Sequence, residues 1–369
     1  MRIPILIEPA YRRSVWCKQT LNGLFAEAKR KKYTLRFVPG DVDAEWDEEE
    51  LFGGGPRLMI VAGTSVSWIP QALRTLEKRQ VHAILINYDS FAQPSSHSVV
   101  RMDYVNAMRR LMGYLYQAGR RRVALFGFNP NSSADRIKAQ FFTGVLRARG
   151  DAAPDRHVFR NEGDLHACFA RFLPFAGEYD ALICANDLVA VSALRQLRGV
   201  GIAVPERLFL AGFGESVLAQ RVRPSITTAI LDHEEMGRQA VTLFAYMHRQ
   251  RVPVTASVRV ACKLAVRQST QNLPEAAGLA LAPEGEAAVS VDFYRDEEVR
   301  ALLEEEEFCF GLDELDWEIL TLLAQGMPVE AVAERCQSTP STVGYRIRQM
   351  QARAGADSRR ALLERVARL

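Results

Sequence analysis

No run in this chain approaches the ~18 to 20 consecutive apolar residues that a membrane span requires. The six cysteines (Cys17, Cys168, Cys184, Cys262, Cys309 and Cys336) form no CxxC pair and no Cys/His metal spacing. They read as reduced and mostly buried thiols, and no metal is expected. Catalytic signatures are missing as well. DHEEMG (232 to 237) lacks the HExxH spacing, FGGGP (52 to 56) is neither a Walker loop nor GxGxxG, and no Ser/His/Asp or Cys/His constellation stands out. Neither an enzyme nor a cofactor is therefore expected. The opening MRIPILIEPAYRR has no basic region before its short apolar run and no small-residue cleavage site. It fits a buried strand better than a signal peptide, which points to a cytoplasmic location.

A large excess of one charge is also absent, the formal net charge being only +3, but the distribution near the C-terminus is uneven. Residues 292 to 334 are heavily acidic, including Glu304 to Glu307, whereas from Arg335 onward Arg346, Arg348, Arg353, Arg359, Arg360, Arg365 and Arg368 face only Asp357 and Glu364. A basic cap on an acidic stem is a candidate phosphate-facing surface. Hydrophobic residues make up 48% and charged residues 25%, an ordinary globular balance, and 369 residues exceed what one core usually supports. Two or more domains follow.

Residues 1 to 270 alternate short apolar runs with longer amphipathic stretches, the signal for strands joined by crossover helices. Strands are expected at RIPILI (2 to 7), LRFV (35 to 38), RLMIVAG (57 to 63), HAILINY (82 to 88), VALFGF (123 to 128), DALICAND (180 to 187) and LFLAGFG (208 to 214). Helices are expected at about 14 to 31, 67 to 79, 104 to 118, 134 to 149, 163 to 175, 187 to 199 and 233 to 250. The near-continuous apolar strands suit parallel sheets covered on both faces, so the fold class is α/β with two doubly wound lobes. Residues 271 to 288, with Pro, Gly and little periodicity, read as a linker. Residues 295 to 308 read as an amphipathic helix with its four glutamates mostly solvated, completing a linker region of 271 to 310.

The stretch from AND (185 to 187) through VP, GFG, PSITT and the helix carrying EEMG (234 to 237) resembles, in order, the lactose-repressor (LacI) family of periplasmic-binding-protein-like sensors. QAGRRRVALFGF (117 to 128) and KLAVRQST (263 to 270) resemble that family's entry into the second lobe and its terminal strand. The resemblance implies two lobes joined by three crossovers, the first at about 1 to 119 plus 232 to 252, the second at 120 to 229 plus 255 to 270. A small, sugar-like effector would bind between them, at the carboxyl ends of the strands. By motif position the ligand-binding candidates are Tyr11, Arg13, Thr64, Asp89, Asn106, Arg136, Leu165, Asn186 and Glu215. Asn186 is alternatively a helix cap, and Arg136 a solvated side chain. The family commonly places an aspartate after GF, where GFGES has Gly214, so either Glu215 takes over or the ligand differs. Family members carry a DNA-reading headpiece before the sensor, whereas the first strand here begins at Arg2. Xylose-responsive regulators, with a LacI-like sensor first and an AraC-type head last, offer a precedent, and AYRRSVWCKQTLNGL (10 to 24) resembles theirs.

In the tail, Leu315, Ile319, Leu322 and Leu323 form one apolar face, Gly326 stops that helix, and Val329, Val332 and Ala333 form the next. Thr339 suits an N-cap and Pro340 the first helical position, whose N–H would lack a partner anyway. Val343, Ile347, Met350 and Ala354 then share an inward stripe, leaving Ser341, Tyr345, Arg348 and Gln349 outward. Residues 311 to 369 resemble the all-α, four-helix LuxR (GerE-type) helix-turn-helix domain. That resemblance implies binding of double-stranded DNA, with Tyr345 and Arg348 as base readers and Thr342, Arg353, Ser358 and Arg359 at phosphates. Arg346 joins the DNA-binding candidates. The whole is expected to be a one-component transcriptional regulator acting as a homodimer, without a membrane partner. The alternatives are a solute-binding protein or a ligand-free scaffold whose tail makes protein contacts.

Overall fold

The computed structural model describes residues 1–39, 45–88, 97–250, 254–270 and 296–367. Asp89 and the linker read at 271 to 288 lie outside them.

Lobe 1 is built on β1 (Arg2–Ile7), β2 (Thr34–Phe37), β3 (Leu58–Ala62), β4 (His82–Ile86) and β5 (Ser98–Met102), with helices α1 (Val15–Arg30), α2 (Glu48–Phe52) and α3 (Trp68–Lys78) between strands. The chain then passes to lobe 2. This contains α4 (Tyr104–Gln117), β6 (Val123–Phe128), α5 (Ser133–Ala148), β7 (Val158–Arg160), α6 (Leu165–Phe172), β8 (Ala181–Cys184), α7 (Asp187–Gly199), β9 (Phe209–Phe213), α8 (Val217–Arg221) and β10 (Thr227–Ile230). It returns to lobe 1 for α9 (His233–Met247) and β11 (Ser257–Val260), and ends in lobe 2 with β12 (Lys263–Ala265). The sheets run β11-β5-β4-β3-β1-β2 and β12-β10-β9-β8-β6-β7. Every neighbouring pair is parallel except β10 with β12.

Two sequence boundaries shift. Helix α4 packs on α5, β10 and β12, so the first crossover lies between Met102 and Tyr104 rather than near 119. Strand β11 pairs with β5, which assigns residues 257–260 to lobe 1 instead of lobe 2. In both cases the element is amphipathic whichever lobe it joins, and periodicity alone cannot choose.

Four further helices follow: α11 (Glu314–Ala324), α12 (Val329–Arg335), α13 (Pro340–Ala354) and α14 (Arg359–Val366), preceded by the stem α10 (Glu297–Phe310). Alternation along the lobe 2 strands sends Val123, Leu125, Ile183 and Phe209 into a core shared with lobe 1. Ala124, Phe126, Leu182 and Leu210 enter a second core that continues through Val299, Leu302 and Phe308 of α10 to Ile319, Val343 and Leu362. The four-helix unit is thus packed onto lobe 2. Contrary to the sequence expectation of a solvated helix, α10 is docked, with Glu306 buried and Glu305 half-buried. A helix with apolar residues on one face and carboxylates that meet donors on its neighbour can bury both.

Helices α1 and α9 cross closely enough that a Cβ on Gly23 would lie 1.8 Å from the carbonyl oxygen of Glu234, whereas one on Gly344 in α13 would meet only Arg348 Nη1, at 3.7 Å. Gly23→Ala should therefore lower the unfolding free energy by about 3 kcal/mol through overpacking, while Gly344→Ala raises it by about 1 kcal/mol through helix propensity. Urea unfolding of the two variants checks both signs; an unperturbed Gly23→Ala protein would contradict the α1–α9 crossing.

Candidate functional site

The cleft lies where the strands of both sheets end. Tyr11 follows β1, Thr64 follows β3, Asn87 follows β4, Asn129 follows β6, Asn186 follows β8 and Gly214 follows β9, and all six line one cavity of about 120 Å³. Carboxyl ends are where doubly wound sheets leave a crevice, because the crossover helices turn away there. Lobe 1 and lobe 2 also meet at the mouth: Val66 N–H donates to the Asn131 carbonyl at 2.9 Å and Ser133 N–H to the Thr64 carbonyl at 2.8 Å.

On the lobe 1 wall, the rings of Tyr11 and Trp16 lie 5.8 Å apart, and Trp16 lies 6.4 Å from His233. Glu8 is buried below this wall and accepts the N–H groups of Thr64 and Ser65 at 3.0 and 3.1 Å, fixing the turn after β3. Tyr104 O–H donates to Asn87 Oδ1 at 2.5 Å. His233 Nδ1 is 3.2 Å from Gln19 Oε1, and burial, with a smaller effect from the Lys138 charge, holds the imidazole down to about 3 and hence neutral near pH 7.

The lobe 2 wall carries the charge. Lys138 Nζ pairs with Asp135 Oδ1 at 2.6 Å, donates to the Ala185 carbonyl, and sits 4.9 and 5.6 Å from the ring centroids of Phe213 and Tyr104. An ammonium between aromatic faces and already paired with a carboxylate adds little net positive potential. Asn186 caps α7, its Oδ1 accepting from Val189 N–H at 3.0 Å, and also lines the cleft. Asp187 is the other acidic group of this wall: Oδ1 accepts from Thr228 O–H at 2.6 Å and Oδ2 from Ser216 N–H at 2.7 Å. Burial pushes its carboxyl up to about 7, against the lowering effect of those two donors. A Cβ at Gly212 would stand 2.5 Å from Asp187 Oδ1, so glycine there makes room for the carboxylate. Gly214 has φ +133, a conformation that a side chain rarely adopts.

Of the cleft residues expected from sequence, Tyr11, Thr64 and Asn186 line the cavity. Arg13 instead lines a separate groove of about 670 Å³ between α1 and α10. Arg136 donates from Nε to the Pro130 carbonyl at 2.8 Å and does not line the cleft. Lys138, two residues on and about 200° around the helix, lines the cleft instead. Leu165 is a core residue whose N–H donates to Asp296 Oδ2 at 2.7 Å. Asn106 lies half-buried in the first turn of α4, outside the cleft lining. Glu215 does not line the cavity; its Oε1 is paired with Arg267. Sequence reasoning missed Trp16, Lys138, Asp187 and His233. The signal for Lys138 was available in its i,i+3 spacing from Asp135; His233 entered only as a failed HExxH.

On α13, Thr339 accepts from Thr342 N–H at 3.2 Å, and Val343, Ile347, Met350 and Ala354 are buried. Tyr345 is 57% exposed and receives a hydrogen bond from Gln349 Nε2 at 3.1 Å. Ser341, Thr342, Arg348, Gln349, Arg353, Ser358 and Arg359 are exposed. Ser358 Oγ caps α14 by accepting from Ala361 N–H at 3.1 Å, and Arg353 donates to the Gly311 carbonyl. Arg346 departs from the expectation of a DNA-facing side chain: its guanidinium is held by Asp313 and Asp316, each at 2.8 Å, which together close the capping box of α11.

Residues 112–270 match the family of the periplasmic binding protein-like domain. The chain is 25% identical over 203 residues to the HTH-type transcriptional repressor CytR of Escherichia coli (54% of this chain, 60% of the relative), and 29% identical over 151 residues to the HTH-type transcriptional regulator CelR of Thermobifida fusca (40% and 44%). It therefore spans 60% or less of the length of these two curated relatives. Among solved structures it is similar to a transcriptional regulator CelR–cellobiose complex (TM-score 0.61, 21% identity, 73% of this chain and 84% of that one). A LacI family regulator from Enterococcus faecium with bound ribose gives TM-score 0.57 at 16% identity, over 74% of this chain and all of that one. The two lobes are thus a periplasmic-binding-protein-like α/β fold.

The position of Asp187 sets a pH test. A carboxyl raised to about 7 in the folded chain contributes stability fully present below its ordinary value of 3.8 and lost as pH rises toward 7. Asp187→Asn carries no such dependence, so its Tm relative to wild type should climb between pH 4 and 8; a difference that stays flat would show that Asp187 ionises normally.

Proposed function

We propose that this chain is a ligand-sensing transcriptional regulator in which the interlobe cleft reads a small polar metabolite and the C-terminal four-helix unit, of LuxR/GerE type, binds double-stranded DNA. The observation that carries the reading is the outward face of α13, where Tyr345, Arg348 and Gln349 are exposed beside the exposed Arg353 and Arg359. A helix presenting such a face fits the ~12 Å major groove, where Arg and Gln read base edges and flanking arginines set register on phosphates. Arg346 is left out of this set because two carboxylates already hold it. Ser358 and Thr342 serve as phosphate contacts through groups at the starts of α14 and α13.

The cleft supports a sugar-like effector. Trp16 and Tyr11 offer ring faces for apolar C–H surfaces, while Asn87, Asn129, Asn186 and the Asp135–Lys138 pair offer donors and acceptors for hydroxyls. Its one lysine is internally neutralised, which disfavours a multiply charged phosphate. The similar structures point the same way, one being a cellobiose complex and another holding bound ribose. Two copies would place two α13 helices on half-sites about 34 Å apart, one turn of DNA, which makes a homodimer the working assembly.

Selection of duplexes from a random pool by the full-length chain should enrich a defined sequence. Arg348→Ala should then cost ~1 to 3 kcal/mol on that sequence only, and Arg359→Ala should weaken specific and random duplexes alike. No enrichment, or identical losses in both variants on both duplexes, would overturn the DNA assignment. A thermal-shift panel of mono- and disaccharides should contain a stabilising ligand whose effect disappears in Lys138→Met; a panel silent throughout would count against the sugar-like effector.

A further inference from the structure

Helix α8 is short, and its first N–H groups cannot be satisfied within the helix. Two carboxylates from different parts of the molecule divide them. Asp187 in the cleft accepts Ser216 N–H at 2.7 Å, while Glu306 of the stem α10 accepts Val217 N–H at 2.8 Å and Leu218 N–H at 2.6 Å. Three consecutive backbone amides thus bridge the cleft floor to the stem. Both carboxylates are almost fully buried, Asp187 at 2% exposure and Glu306 at 4%. Neither has water to fall back on, so displacing one side loads the other.

The far end of α8 is tied as well. Arg221 pairs with Glu314 at 3.2 Å and lies 4.6 Å from the Trp317 ring centroid, both on α11 of the four-helix unit. The stem has further anchors on lobe 2: Ser192 O–H donates to Glu298 at 2.7 Å and Arg195 pairs with Glu305 at 2.6 Å. Toward lobe 1, Glu307 pairs with Lys18 at 2.8 Å. Lys18 sits on α1, the helix that supplies Trp16 and Gln19 to the cleft.

We infer that α8 is a relay between the cleft and the four-helix unit: a ligand that engages Asp187 moves the Ser216–Leu218 amides, and Glu306 passes that movement into α10. The Lys18–Glu307 pair adds a contact that follows the angle between the lobes. This rests on the sensor–regulator reading above. The relay needs no large rearrangement, because packed interfaces respond to small shifts by repacking rather than by stretching. It gives cleft occupancy a physical route to the exposed face of α13 through bonds that the fold already contains.

The test uses amide hydrogen exchange on the full-length chain and needs no effector. Asp187→Asn weakens the cleft end, and exchange across residues 297–310 should rise about tenfold, the loss expected for one buried hydrogen bond. Glu306→Gln, cut from the other end, should raise exchange at residues 185–189 by a similar factor. Protection in β1, β3 and β4 should stay unchanged, which certifies that each variant is folded. Thr228→Val, nearly isosteric, removes only the hydroxyl that holds Asp187 Oδ1 and supplies the same reading if either carboxylate variant fails to fold; it should also raise exchange at 297–310. Changes confined to α8 and the mutated element, with no reciprocal effect across it, would overturn the relay. The duplex selection described above is independent of these measurements: an empty selection sinks the DNA reading and leaves the exchange result to decide the coupling, whereas local-only exchange sinks the relay while a successful selection preserves the regulator.

Discussion

A carboxylate taken out of water costs several kcal/mol unless donors meet it, and three of the buried carboxylates in this fold satisfy that condition by gripping the starts of turns and helices. Glu8 holds Thr64 and Ser65, Asp187 holds Ser216 and Thr228, and Glu306 holds Val217 and Leu218. Each pair of donors belongs to a different segment from the carboxylate it serves. The cleft wall of lobe 1, the cleft floor of lobe 2 and the seat of the stem are therefore positioned by the same device. Removing one such acceptor leaves two amides or an amide and a hydroxyl without partners in a dry environment, which is why these contacts define the geometry rather than decorate it.

The apolar packing reinforces this arrangement. Because strand residues alternate faces, one side of the lobe 2 sheet joins the core shared with lobe 1, and the other side continues without a break through α10 into the four-helix unit. A linker with one solvated helix would have let the C-terminal unit tumble. A stem whose Val299, Leu302, Phe308 and Cys309 are buried ties its orientation to lobe 2. Any change in the angle between the lobes then changes where α13 points relative to lobe 1.

Much of the local architecture could be read along the chain. The seven strands expected between residues 2 and 214 occur, and so do the seven helices, with ends displaced by a few residues. The strands β5, β7, β10 and β11 were harder to see because none of them contains more than two consecutive apolar residues, and β7 and β11 lie at sheet edges. In the cleft, motif position located Tyr11, Thr64 and Asn186 because each directly follows a strand, where a residue's neighbours in sequence decide its direction. Arg136 was chosen by motif position, whereas helical geometry turns Lys138 toward the cleft instead.

What the sequence determined by itself was whatever one element settles alone: strand alternation, the Thr339–Pro340 start of α13, and the division of that helix into a buried stripe of Val343, Ile347, Met350 and Ala354 and an exposed side. Tertiary structure decided everything that needs a second element far along the chain. Glu306 meets amides 88 and 89 residues away, Glu307 meets a lysine 289 residues away, and Arg346 turns to Asp313 and Asp316. A glutamate on a helix looks the same in sequence whether it faces water or a helix start. Only the packing of α10 against α8 supplies the donors that make its burial affordable, and that packing is a property of the whole chain.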